Sequence, residues 1–428
     1  MSNQHRQTLE EWLAWQEGLH CSEIDLGLDR IRQVAERLGL LKPDAIVITV
    51  AGTNGKGSTV AFFESVLLSA GYRVGTYTSP HLIRYNERIR VGGIEATDGQ
   101  ICNAFEQIEA VRGDISLTYF EYGTLAAFLI LFGADLDVMV LEVGLGGRLD
   151  AVNILDADLA VLTSIGLDHT DWLGEDRESI GFEKAGVFRP GAPAVCGDAS
   201  PPESVLQHAK TVGAALYVQG EDFEYSRQQS DWQWTGLGQQ RFGLPHPSLK
   251  GAFQYRNCAA MLMGLELLKE RLPVSLANIR QGLISARLPG RFQVLSTQPM
   301  LIVDVAHNAQ GAQALAEALR GQLCSGKTIA VFSLLKDKEI SSILKELSCV
   351  FDEWHVAGLE NIPRGASMLQ MLQRISQAKV DIKNLAGHED LLTAYSHVMS
   401  YAGKEDRVVI FGSFFVVAEI LSAYNKAK

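Results

Sequence analysis

Apolar residues recur at helical spacing over residues 9–19 and 28–38, and a loop of mixed polar and apolar residues, 18–27, joins the two segments. An unbroken, largely β-branched run follows at 46–50, which predicts a strand buried on both faces, as in a parallel sheet. The periodic stretch 59–70 predicts a helix that Gly71 ends. The alternation then repeats: strands at 74–78, 138–143 and 159–165, an apolar helix at 124–132, and an αβ passage over 192–218. Residues 221–241 are polar, with Trp232 and Trp234 in alternation, which predicts antiparallel strands. Helical spacing returns at 254–272 and 275–286, and Leu288-Pro289-Gly290-Arg291 breaks it. Beyond the break, strands at 301–306, 328–333, 353–356 and 407–411 alternate with helical segments, the pattern of a smaller Rossmann-like parallel domain without a dinucleotide fingerprint. The predicted domains are therefore 1–290 and 291–428.

Between the first strand and its helix lies Gly52-Thr53-Asn54-Gly55-Lys56-Gly57-Ser58-Thr59. Glycines let backbone N–H groups face phosphates, a helix N-terminus adds partial positive charge, and Lys56 can reach the outer phosphates of a nucleoside triphosphate. Ser58 or Thr59 could then meet a magnesium ion. The spacing departs from the general P-loop pattern, since Val50 and Gly57 stand where a glycine and a hydroxyl are usual. The expected class is α/β, an N-terminal domain of P-loop ATPase type followed by the Rossmann-like one.

Polar groups follow the other predicted strands too. Ser79 follows 74–78, Glu142 lies in 138–143, and Asp168-His169 comes just after 159–165. In an open α/β sheet such positions converge at the carboxyl edge, where ligands bind. An unpaired carboxylate inside a buried run costs several kcal/mol, roughly, so Glu142 needs a metal ion or an arginine such as Arg148. Arg84, Arg88 and Arg90 could bind carboxylates or form a solvated charged loop. The glycine turn 144–150 allows close approach to a ligand but is weak evidence alone. Lys184, read by itself, is a surface lysine.

At 428 residues, the chain exceeds one compact core. Its net charge of −12 argues against a nucleic-acid surface, though a small basic pocket can sit inside an acidic protein. The polar N-terminus and the shortness of the longest apolar stretch, 125–132, argue against a leader or membrane span and for the cytoplasm. Six cysteines without CxxC spacing suit reduced thiols.

Assembled in order, these stretches resemble the dihydrofolate synthase/folylpolyglutamate synthase family, related to the Mur ligases, over nearly the whole chain. The resemblance rests on 52–58, Ser79-Pro80-His81-Leu82, 118–123, 141–150, Asp168-His169-Thr170, Glu183-Lys184-Ala185-Gly186, 288–291 and Asp304-Val305-Ala306-His307-Asn308. The unusual glycine loop is the family's own form. The resemblance implies ATP-driven joining of L-glutamate to dihydropteroate and tetrahydrofolate through an acyl phosphate, with Mg2+ and a monovalent cation such as K+, in a monomer that binds neither nucleic acid nor membrane. It implies ATP contacts at Thr53, Asn54, Gly55, Lys56, Gly57, Ser58, Asn257, Arg291 and Asp304. Metal ligands would be Ser79, Glu142 and His169, with Lys184 carbamylated and, with Lys56, part of the catalytic set. Pterin contacts would come from Gly18, Leu19, His20, Cys21 and Ser22, from Thr118, Tyr119, Phe120 and Glu121, and from Leu149, Asp150 and Ala151. His307 would help place glutamate or take a proton from its amine. Closure of the second domain on bound ATP would keep water from the acyl phosphate.

Phe253, Cys258 and Ala309 stand where relatives commonly have histidine, alanine and proline, which leaves the adenine-side contacts near Phe253 less defined. Two other readings remain at this point. A Mur-type ligase acting on a peptidoglycan precursor shares the loop and the chemistry, but usually has an extra N-terminal domain where this chain has about 40 residues before its first strand. A nucleotide-dependent switch would leave Glu142, His169 and Lys184 without a common task.

Overall fold

The computed structural model describes residues 7–22, 24–362 and 364–426. The start of the polar N-terminal stretch and position 23 of the interhelical loop lie outside them. Two compact units divide the chain, one of residues 1–248 with 254–287 and the other of 249–253 with 288–428.

The first unit is built on an eight-stranded sheet. Its strands are β1 (Ile46–Ala51), β2 (Val74–Tyr77), β3 (Ile89–Val91), β4 (Ile94–Glu95), β5 (Val138–Glu142), β6 (Leu159–Leu162), β7 (Pro193–Cys196) and β8 (Ala215–Val218), in the order β4-β3-β2-β5-β1-β6-β7-β8. From β2 to β8 every pairing is parallel, while β3 and β4 add an antiparallel edge that the apolar pattern does not predict. Both are too short for a period to show.

The helices of this unit are α1 (Leu9–Glu17), α2 (Asp29–Leu38), α3 (Lys56–Ser69), α4 (Asp98–Arg112), α5 (Tyr119–Phe132), α6 (Thr170–Leu173), α7 (Arg177–Ala185), α8 (Glu203–Val212), α9 (Phe253–Leu267, whose first residue groups with the second unit) and α10 (Leu276–Ser285). Capping decides several starts. Thr8 with Glu11 and Thr97 with Gln100 form reciprocal boxes ahead of α1 and α4. Thr118 with Glu121 does the same for α5, so that helix begins at Tyr119, ahead of the apolar run. Helix α3 likewise starts at Lys56, because Gly55 takes a left-handed conformation at its N-cap.

Trp12, Phe105, Tyr122 and Phe128 are buried in a core shared by α1, α2, α4, α5 and the sheet, and Trp12, Tyr85 and Tyr122 each meet the Phe105 ring at 5.4–6.1 Å between centroids. The alternating tryptophans lie in a separate three-stranded antiparallel sheet, β9 (Phe223–Arg227), β10 (Trp232–Gly236) and β11 (Gln239–Leu244). Trp234 is fully buried and donates from Nε1 to the Ala259 carbonyl at 3.1 Å, fastening this sheet to α9.

The second unit holds a six-stranded sheet in the order β12-β13-β17-β14-β15-β16. Its strands are β12 (Gln293–Thr297), β13 (Met300–Asp304), β14 (Thr328–Phe332), β15 (Glu353–Ala357), β16 (Leu385–His388) and β17 (Arg407–Phe411), with α11 (Ala309–Arg320), α12 (Ile340–Leu347), α13 (Met368–Ala378), α14 (Leu391–Tyr401) and α15 (Phe414–Lys426) between and after them. The four predicted strands pair in parallel through β17. Two edge strands were not expected. β12 pairs antiparallel to β13, which makes the sheet mixed, and β16 carries a glycine and little apolar pattern.

Candidate active site

Four adjacent parallel strands, β2, β5, β1 and β6, bring the chemistry-bearing segments to one edge of the first sheet. Glu142, the last residue of β5, pairs in register with Val50, two residues before the glycine loop. Ser79 follows β2, and its amide donates to Glu142 Oε2 at 3.3 Å. The Glu142 carboxylate is buried, and the alternative partner Arg148 pairs instead with Glu183 at 2.8 Å. His169 comes seven residues after β6, is exposed, and has a left-handed backbone (φ 53°) at the N-cap of α6.

The loop 52–58 is held to the end of β6 by a dense set of bonds. Thr53 exchanges hydrogen bonds with Gly166 through Oγ1 at 3.0 and 3.1 Å, and its amide donates to Ser164 O at 2.8 Å. Thr163 Oγ1 donates to Asn54 O at 2.6 Å. Gly52 (φ 142°) leaves no room for a side chain, since a Cβ there would lie 2.0 Å from Thr163 Oγ1. At Gly55 (φ 90°) a Cβ would lie 2.6 Å from Asn257 Oδ1. Asn257 donates to Gln254 Oε1 at 2.9 Å, and Gln254 donates to Ser58 Oγ at 3.2 Å. Asn257, assigned to the nucleotide by resemblance, thus abuts the glycine loop through a relay that includes Gln254. Sequence reading missed Gln254, although its place one helical turn before Asn257 is a signal. Lys56 Nζ donates to Gly52 O at 3.0 Å, and Thr59 Oγ1 is spent on Gly55 O.

Lys184 is no surface lysine. It is 4% exposed in α7, and burial, reinforced by the Lys56 charge and opposed by Asp168 and Asp150, lowers its pKa to about 7. The segment carrying it is keyed to the glycine turn by Arg148 N–H donating to Glu183 O at 2.8 Å. Asp150 is buried within that turn, where its carboxylate accepts from Leu145 N at 2.8 Å and Val152 N at 3.0 Å. Burial raises its pKa to about 6, and those amides with Lys56 limit the rise. Its neighbours Leu149 and Ala151 are half-buried and buried.

The remaining pterin candidates fall in two segments, the loop after α1 and the start of α5. Gly18, Cys21 and Ser22 are exposed, while Leu19 and His20 are half-buried. Thr118 and Glu121 are buried in the α5 capping box; Tyr119 and Phe120 are half-buried, and Phe120 stacks on Tyr77 at 6.1 Å. Of the three arginines after β2, Arg84 pairs with Glu95 and Arg90 lies 3.4 Å from Glu64. Arg88 donates to His81 Nδ1 at 2.8 Å and lies over the rings of Tyr85 and Tyr119. Burial and the Arg88 charge hold the His81 pKa down to about 4.

In the second unit, Asp304 ends β13 and accepts from Phe292 N at 2.7 Å and Ala306 N at 2.8 Å. Burial raises its pKa, against the Arg291 charge. Arg291 lies 5.2 Å from the centre of the Phe414 ring, and His307 Nδ1 is 2.8 Å from Val305 O. All six cysteines are free thiols. Among the described residues, no helix is long and apolar enough to cross a membrane.

A curated protein of Escherichia coli (strain K12), dihydrofolate synthase/folylpolyglutamate synthase, is 46% identical to this chain over 417 residues, covering 97% of this chain and 96% of its own. The chain belongs to the dihydrofolate synthase/folylpolyglutamate synthase family. Residues 50–196 match the Mur ligase middle domain, and residues 290–414 match the Mur ligase glutamate ligase domain. Among solved structures, E. coli FolC in complex with DHPP and ADP superposes with a TM-score of 0.94 at 46% identity, covering both chains fully. A bifunctional folylpolyglutamate synthase/dihydrofolate synthase with Mn, AMPPNP and L-glutamate bound gives 0.91 at 48% identity, covering 99% of this chain and all of the other. Membership of this family displaces both the peptidoglycan reading and the switch reading.

Proposed function

We infer that this chain joins L-glutamate to dihydropteroate and to tetrahydrofolate at the cost of ATP. The observation that carries the reading is the meeting of the glycine loop, Ser79 and Glu142 on adjacent strand ends in a chain alike along its whole length to such synthases.

Thr53, Asn54, Gly55, Lys56, Gly57, Ser58 and Asn257 cradle the ATP phosphates. The close packing of Gly52 and Gly55 against Thr163 and Asn257 supports this, because a side chain at either glycine would displace the loop from its own anchors. The oxygen donors also suit a hard divalent cation, a buried carboxylate at Glu142 beside the hydroxyl-bearing Ser79, and His169 is the proposed third ligand. When bound there, Mg2+ supplies charge neutralisation to the transferred phosphoryl group. The depressed Lys184 pKa leaves an appreciable share of neutral amine at neutral pH, and neutral amine is the form that adds CO2 to give a carbamate. In the pterin set, Tyr119 and Phe120 offer ring faces, whereas Thr118, Glu121 and Asp150 serve through the backbone shapes their hydrogen bonds fix. Arg291 and Asp304 are nucleotide candidates of the second unit. His307 is its candidate for glutamate: with Nδ1–H donating to Val305 O, its acceptor nitrogen is Nε2, the atom that would take the amine proton. K+ as a second cation, a monomeric state and a cytoplasmic location complete the proposal.

The substrate carboxylate attacks the ATP γ-phosphorus and ADP leaves, giving an acyl phosphate. The glutamate amine then attacks the carbonyl carbon, loses a proton, and expels phosphate. A carboxylate alone is a poor electrophile, so phosphorylation must come first. With dihydropteroate labelled by 18O in both carboxylate oxygens, this path places one 18O in the released phosphate. Unlabelled phosphate alongside amide product would overturn the acyl phosphate step.

A further inference from the structure

The two main segments assigned to the pteridine, 18–22 and 118–121, lie a hundred residues apart in sequence, and one guanidinium is hydrogen-bonded beside the first and ion-paired with the second. Arg30, in the first turn of α2, donates from Nη1 to Asp25 Oδ2 at 2.6 Å and from Nη2 to the Asp25 carbonyl at 2.7 Å. The same Nη2 lies 3.4 Å from Glu121 Oε1. Asp25 Oδ2 is also 3.1 Å from His20 Nε2, and His20 Nδ1 is 2.8 Å from Ser116 Oγ, which in turn donates to Leu19 O at 3.3 Å. On the other side, Glu121 Oε2 accepts the Thr118 amide at 2.8 Å, so the carboxylate facing Arg30 also caps α5. Leu19 and His20 are thereby tied to Thr118 and Glu121 through Ser116 at one point and Arg30 at another.

We propose that Arg30 is a positioning residue for the pteridine substrate, a clasp that holds the loop after α1 in register with the start of α5. The inference rests on the assignment of those two segments to the pteridine. Its chemistry needs a fork: Asp25 presents two acceptors and Glu121 a carboxylate at ion-pair distance, and a planar guanidinium can face them together where a single ammonium cannot. Glu121 is 3% exposed and ends in a carboxylate, so the pair is partly desolvated and its geometry is constrained. A flat bicyclic ligand held between two segments is sensitive to their separation, and a displacement of about 1 Å in a positioned substrate can cost on the order of a hundredfold in rate.

The test is steady-state kinetics of Arg30→Lys and Arg30→Gln in the full chain, with dihydropteroate and tetrahydrofolate varied separately from ATP. Both variants are expected to lower kcat/KM for each pteridine by roughly tenfold to a hundredfold, with a raised pteridine KM. The KM for ATP should stay close to that of the parent, and lysine should fail to rescue; the glutamine variant, which leaves the buried Glu121 carboxylate without its ion-pair partner, should also melt at a lower temperature. Asp25→Asn, at an exposed side chain that the fold tolerates more readily, should move the pteridine KM in the same direction by less. Unchanged pteridine KM values, or pteridine and ATP KM values rising together, would overturn the clasp. Phe120→Ala separates this proposal from its foundation. If that variant leaves the pteridine KM unchanged, the pocket assignment itself falls and takes the clasp with it. If it raises the KM while the Arg30 variants do not, the clasp alone is wrong.

Discussion

Replacing Lys56 by methionine is expected to lower kcat/KM for ATP-driven amide formation by on the order of 10²- to 10³-fold, about 3–4 kcal/mol of barrier, with the fold intact. The side chain stands in the first turn of α3, and its ammonium lies against the carbonyls of Gly52 and Thr53 at 3.0 and 3.4 Å. The loop beneath it is fixed by bonds from Thr53 and Asn54 to the segment after β6, none of which involves the lysine side chain. Methionine keeps the length and the apolar stem while removing the charge proposed to meet the negative oxygens of the transferring phosphoryl group. Far-ultraviolet circular dichroism and the melting temperature should match the parent protein. A loss smaller than about threefold would mean that the phosphates lie elsewhere.

Lys184→Met should remove activity to a similar or greater extent while making the protein more heat-stable at neutral pH. A lysine whose pKa is near 7 when folded and near its ordinary 10.5 when unfolded binds fewer protons in the folded state across that interval. Its contribution to stability therefore grows as pH rises from 7 toward 10.5, and below that window the buried charge costs the fold its full penalty. Methionine has no such penalty, so the gain in melting temperature should be largest near pH 6–7 and fade on the alkaline side. The loss of activity would have a separate cause under the proposed role of this residue, in which the neutral amine forms a bond to the carbon of CO2, releases a proton, and becomes a carboxylate-like carbamate. A 13C signal from labelled CO2 should appear on the parent protein, grow as pH rises through about 7 at constant dissolved CO2, and be absent from the variant. An active Lys184→Met protein would exclude this residue from the chemistry.

The first sheet was legible because its central strands are buried on both faces and carry little besides apolar, often β-branched residues, as in Ile46–Ala51. The edge strands were not, since Ile94–Glu95 and Leu385–His388 owe their state to pairing with a neighbour rather than to their own pattern. Within the site, Lys184 shows the limit of reading residues singly. Its burial and its lowered pKa come from the way α7 packs against the 144–150 turn, a contact between segments about 35 residues apart. Arg30 shows the same limit from the other direction, because nothing in its own sequence neighbourhood points to Glu121. The resemblance to a family named the candidates; the folded chain adds that Asp150 and Glu121 spend hydrogen bonds on backbone shape, which sequence alone gives no means to tell from substrate contact.

The most direct test of the central claim is product identification by mass. The purified protein would be incubated with ATP, Mg2+ and L-glutamate, and with dihydropteroate or tetrahydrofolate in separate reactions. The account predicts a glutamyl amide from each pteridine, with ADP and phosphate released in step with it. ATP hydrolysis without amide from either pteridine would contradict it.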